Sequence, residues 1–175
     1  MIFAQRQTMS LETALDETPL DVQLHAFLEL GEACEDVSRL VADTFTQTLR
    51  RIVLRTMGDG PEADQALADG GLVIQGRTVV MRLNSQTDFV ELFCDIGQPA
   101  ADRLEAVYRN ALEANLCRRF PGVTLGLHPE SGRLVATLAL NGLMVDNDDL
   151  CMTALDLLAR CACEIRESSP FDLVD

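Results

Sequence analysis

The chain contains neither tryptophan nor lysine, and all 14 of its basic residues are arginine. Aromatics make up only 5% of its 175 residues, against 47% hydrophobic overall, so any core must be aliphatic. A chain of roughly 150 residues buries about two-thirds of its unfolded surface, which suffices for one domain with an additional arm. No apolar run approaches the roughly 18 residues that would cross a bilayer. The start, MIFAQRQTMS, lacks the basic and apolar regions of a secretory signal, and Met9 is an alternative start. A soluble cytoplasmic protein with no membrane insertion is expected.

Histidine is scarce as well, with only His25 and His128 available as a base for nucleophilic catalysis. His25 falls in the short leading segment Leu20–Leu30 and His128 in a hairpin turn. No nucleophile elbow, phosphate-binding loop or dinucleotide fingerprint occurs. Six cysteines are present, at positions 34, 94, 117, 151, 161 and 163, but no C-x-x-C pair. Buried free thiols in a reducing compartment are expected rather than a disulfide framework. Cys161 and Cys163 would point about 200° apart on a helix and cannot share an ion. Asp146-Asn147-Asp148-Asp149 resembles the start of a calcium loop. The sixth and twelfth positions, which need Gly and Glu, are Cys151 and Leu157. Those acids are better explained as a helix cap. The sequence therefore predicts no enzyme, metal or cofactor.

The charge is strongly one-sided, with 28 acidic residues against 14 basic and a net of −14. Residues 1–70 contribute 13 acids and 5 arginines (−8), and residues 71–175 contribute 15 and 9 (−6), so the acidity is global. Such a field disfavours nucleic acid and anionic membranes, which reward clustered positive charge.

What is present is periodicity. Residues 1–35 read as an N-terminal extension, with a short helix at Leu20–Leu30 interrupted by Gly31. Val37, Val41, Phe45, Leu49, Ile52 and Val53 form a helical stripe ended by Gly58-Asp59-Gly60-Pro61. Two or three strands follow. Val79, Met81 and Leu83 alternate with Val80, Arg82 and Asn84, and Val90, Leu92, Cys94 and Ile96 share a face opposite Phe89, Glu91, Phe93 and Asp95. Pro99 is placed at the opening of a helix with the stripe Leu104, Tyr108, Ala111, Leu112 and Asn115. A hairpin spans Val123–Leu127 and Arg133–Leu140. A last helix carries Leu150, Ala154, Leu157, Leu158, Cys161 and Ile165, and residues 169–175 form a tail. The order α-β-β(-β)-α-β-β-α over 36–168 specifies an α+β domain, a twisted antiparallel sheet flanked by helices.

The Ile96-Gly97-Gln98-Pro99 step, the motif Ala111-Leu112-Glu113-Ala114-Asn115-Leu116, the hairpin Leu125–Leu134 and the helix from Asp148 resemble the class I type III secretion chaperones, the Tir chaperone family. The resemblance covers about Leu72–Glu167. It implies a non-enzymatic, cofactor-free, cytoplasmic homodimer that binds an N-terminal segment of a secreted effector and keeps it export-competent. It also implies that the central helix helps form the dimer contact, with Leu104, Tyr108, Leu112 and Asn115. On that placement Asn115 would fix register at the contact; alternatively its amide reaches a backbone group at the end of its own helix. Effector-binding candidates are Val80, Phe89 and Phe93 on the sheet and Val41 and Phe45 on the first helix. The competing reading is a regulatory or sensory protein-binding domain of similar fold without a role in export.

Overall fold

The computed structural model describes residues 20–167, 171, 173 and 174, with side chains from residue 34 onward except that of Val174. The expectations placed on Met1–Pro19 and on the side chain of His25 lie outside the described residues, as does the end of the last helix expected at Ser168-Ser169-Pro170. By compactness the chain divides into units Met1–Arg39 and Leu40–Asp175.

The elements run α1 (Leu20–Met57), α2 (Pro61–Asp69), β1 (Gly71–Ile74), β2 (Arg77–Asn84), β3 (Phe89–Pro99), α3 (Leu104–Leu116), β4 (Thr124–Leu127), β5 (Leu134–Asn141), a short 3₁₀ turn (Gly142–Met144), α4 (Asp148–Glu167) and β6 (Leu173–Val174). Three expectations are corrected. α1 passes through Gly31 without a break, because one internal glycine costs only about 1 kcal/mol relative to alanine. Pro99 closes β3 rather than opening a helix. Its missing N–H is as harmless at a strand end as at a helix start, and Ala100 accepts from Arg103 N–H in the turn that follows. The additional helix α2 falls between the glycine stop and the sheet, with Pro61 in its first turn and left-handed Gly70 as its cap.

β1, β2, β3, β5 and β4 lie side by side in that order, every neighbouring pair antiparallel, with β6 on the far end of β3. The β1–β2 turn is a two-residue hairpin with positive φ at both Gln75 and Gly76. Register carries one buried row through five strands: Leu72, Val79, Cys94, Ala136 and Leu125. Leu92 and Ile96 extend that inner face, and α4 roofs it across β3, β5 and β2 through Cys151, Leu155, Leu158, Ala162 and Ile165. Each such aliphatic side chain contributes roughly 1.5–3 kcal/mol of transfer free energy. From α1, Val41, Leu49, Ile52 and Val53 also enter the core. Phe171, almost wholly buried, seats the C-terminal segment.

Asn147 caps α4 by accepting from Leu150 N–H at 3.0 Å. The neighbouring carboxylates do something the sequence pattern did not suggest. Asp148 receives Arg51 of α1 through both Nε (3.0 and 3.1 Å) and Nη2 (2.9 Å), and Asp146 and Asp149 meet Arg51 and Arg55 at 3.3 Å. Arg51 also donates to the buried Thr48 hydroxyl at 2.9 Å.

Candidate partner-binding site

α1, α2 and the β1–β2 hairpin enclose an open groove of about 1160 Å³. Its apolar lining is Phe45, Leu49, Met57, Leu67, Val73 and Val80, with Glu62, Asp69 and Arg82 also along it. Local sequence explains the shape. α2 is short and turns only Ala63 and Ala66 fully inward, so small side chains leave room where a leucine face would have filled it. At the end of α2, Gly70 is left-handed, and its C=O accepts Met81 N–H at 2.8 Å. A side chain there would run into the Met81 carbonyl, so glycine is what lets the helix turn directly into β1.

The outer sheet face continues from the groove. Val80 pairs with Phe93 across the β2–β3 ladder, Phe93 with Thr137, and Thr137 with Thr124. Phe93 is half-buried in a shallow hollow of about 330 Å³ that it shares with Glu91, Thr124 and Thr137. Of the five residues named from sequence as effector contacts, Phe45 and Val80 therefore share one groove, with Phe93 beside them. Phe89 stands apart, exposed at the start of β3 opposite Asn84 and Asn141. Val41 is buried in the core, packed where a Gly142 side chain would have to go. Leu67 and Val73 were missed because α2 and β1 were not separated from the glycine-rich connection. Pro61 and Gly70 were the signals that would have found them.

α3 presents a second apolar surface. Val107, Ala111 and Ala114 face inward, while Leu112 and Leu116 are 70% and 85% exposed. Tyr108, Leu112 and Leu116 line a hollow of about 390 Å³ between Glu105 and Arg109. The single stripe expected from sequence is thus two faces. Ala111 is core, Leu112 points outward, and Leu104, Tyr108 and Asn115 are half-buried between them. Asn115 is also resolved. It reaches neither its own helix end nor an exposed face, but donates from Nδ2 to Leu125 C=O and accepts from Leu125 N–H, both at 2.8 Å.

Among the described residues no three His, Cys, Asp or Glu side chains could jointly hold a metal ion. Burial pushes the Cys94 and Cys151 thiols up to about 11, away from the reactive thiolate. Cys161 shifts the same way for the same reason, and none of the six cysteines is in a disulfide. Among the described residues, no helix is long and apolar enough to cross a membrane.

A model of the Tir chaperone protein (CesT) family matches residues 63–161, from α2 into α4. The chain belongs to that family. It is a type III secretion chaperone that binds effectors, and the expected α+β fold is the one found. Among solved structures, the HopA1–SchA chaperone–effector complex contains a similar chain at 17% identity and a TM-score of 0.52, covering 73% of this chain and 97% of that one. That likeness is one of fold. A chain of the ExsC–ExsE complex is similar over 55% of this chain and 71% of its own, at 17% identity and a TM-score of 0.47. No curated protein matches the sequence significantly. The matched region includes most of α2, the β1–β2 hairpin wall of the groove and all of α3, while the α1 wall lies outside it.

Proposed function

We propose that this chaperone works in the cytoplasm as a homodimer, without catalysis or cofactor. It takes an N-terminal segment of a secreted effector into the groove walled by α1, α2 and β1–β2, and holds it extended for export. The observation that carries the reading is the groove itself. Phe45, Met57, Leu67, Val73 and Val80 stay partly accessible beside an otherwise polar surface on a chain of net charge −14, and such a patch marks a protein contact. Val80 and Phe45 are its anchors, and Phe93 extends it onto the open sheet face. The β1 edge offers an extended segment a further contact. Val73 is 56% exposed, and hairpin alternation turns its backbone groups away from β2.

Dimerisation through α3 is supported by the exposed leucines Leu112 and Leu116 next to Tyr108. An isologous contact between two such ridges would bury them.

The test is co-purification from the native host under secretion-inducing conditions, followed by limited proteolysis of the captured protein. Protection of a stretch near the partner's N-terminus is expected in the wild type. Val80→Asp is expected to lower capture at least about tenfold, since a carboxylate in an apolar contact costs more than 1.4 kcal/mol, with circular dichroism unchanged. Undiminished capture by Val80→Asp would remove the groove from the site.

A further inference from the structure

β4 is an edge strand, paired with β5 on one side only. The segment Val123-Thr124-Leu125-Gly126-Leu127 carries no charge and no proline, so it lacks the usual protection against pairing with another chain. Its hydrogen-bond alternation is fixed by the hairpin: His128 N–H donates to Arg133 C=O, which makes Leu127 and Leu125 the positions whose backbone groups face outward. At Val123 the N–H is consumed by Phe120 C=O at 3.1 Å. At Leu125 both groups are consumed by the Asn115 amide. The side chain presents one donor and one acceptor to one residue, as the backbone of a neighbouring strand would. It also pins the last turn of α3 against the edge that α3 packs on.

We propose that Asn115 is an edge lock. It stands in for a further strand beside β4 at Leu125, and so prevents β4 from pairing with the β4 of a second copy of this chain. Such a pairing would be self-complementary, centred on Leu125 with the two strands antiparallel about a two-fold axis. The lock acts whether or not copies meet through the outer ridge of α3, because the amide faces the sheet edge and not that ridge. The sheet then has one closed edge, β4, and one open edge, β1.

The experiment uses the full chain, with amide exchange followed by NMR and mass by sedimentation velocity over a range of concentrations. In Asn115→Ala, the Leu125 amide is expected to exchange about tenfold faster, the scale of one hydrogen bond to a partly buried group. Val135 and Thr137 amides, inside the sheet, keep their rates. Species larger than the wild-type assembly appear as concentration rises. Adding Leu127→Pro, which removes an outward N–H and obstructs strand addition, is expected to return the mass to the wild-type value while Leu125 stays fast. Unchanged Leu125 exchange in Asn115→Ala overturns the proposal. So does faster exchange with unaltered mass, and so do large species that persist with Leu127→Pro, which would mean general exposure of the core. Should Asn115→Ala fail to fold, Asn115→Leu, which fills the site with neither donor nor acceptor, carries the same readouts.

Discussion

Gly70 joins two constraints that are usually separate. Its φ of +68° favours glycine, and the space a side chain would need is filled by the Met81 carbonyl. Gly70→Ala therefore pays both for a left-handed alanine, about 1–2 kcal/mol, and for displacing backbone in the β1–β2 ladder. A loss of roughly 2–4 kcal/mol is expected, read as a lower urea midpoint at unchanged slope. A shift below about 0.5 kcal/mol, the scale of an ordinary surface change, would show that the chain can relax around the turn. Single residues were also where the sequence was least readable. Asn115 could be placed on a helix face by counting, but its partner, Leu125, becomes a neighbour only when the hairpin folds back beside α3. The same holds at the start of α4, where a cap was legible and is supplied by Asn147, while the bidentate pairing of Asp148 with Arg51, 97 residues away in sequence, was not.

At the level of elements, periodicity sufficed wherever one face is buried and the element is long. The alternation in β2 and β3 and the stripe of α4 reappear as the inner sheet face and its roof. It failed at α2 and β1, nine and four residues long, where too few turns or pleats exist for a period to show. It was ambiguous at α3, because a helix with one face on the core and another apolar face in solvent reads as a single broad stripe. That outer face gives the element its own prediction. Leu112 is largely exposed, so Leu112→Arg leaves the α3 core contacts of Val107, Ala111 and Ala114 intact. Native circular dichroism and the mass of a single chain by light scattering are expected. A native spectrum with wild-type mass would exclude Leu112 from the contact between copies.

For the molecule as a whole, composition alone anticipated an aliphatic core, but of the six thiols expected to be buried only Cys94, Cys151 and Cys161 are; Cys34 and Cys117 are exposed and Cys163 is half-buried. Composition left the groove unlocated, since a groove is defined by what three elements fail to fill. The thiols set how stability depends on pH. Cys94 and Cys151 are fully buried, and burial raises both to about 11, above the ordinary thiol value of about 8.5. The folded state therefore holds more protons than the unfolded one in that interval. The contribution is complete below the unfolded thiol range and is lost as pH rises through it toward 11. Between pH 8 and 11 the wild type is expected to lose roughly 5 °C or more in Tm. The Cys94→Ala, Cys151→Ala double variant, though less stable at every pH, should show a visibly flatter decline. Parallel declines would place the alkaline sensitivity elsewhere.

The roof over the sheet has a consequence for how the chain is made. α4 follows all five strands of the apolar row in sequence, yet it covers that row, whose first three members on β1, β2 and β3 are made by residue 99. β3, the central strand, waits for β5 across the whole of α3 and β4, a long loop to close. During synthesis the early hairpins therefore leave the ribosome with Leu72, Val79 and Cys94 facing water, and they stay so until about residue 165 is available. Chains that stop short of α4 should be the ones that aggregate, and the nascent chain is itself a client for whatever guards exposed sheets in the cell.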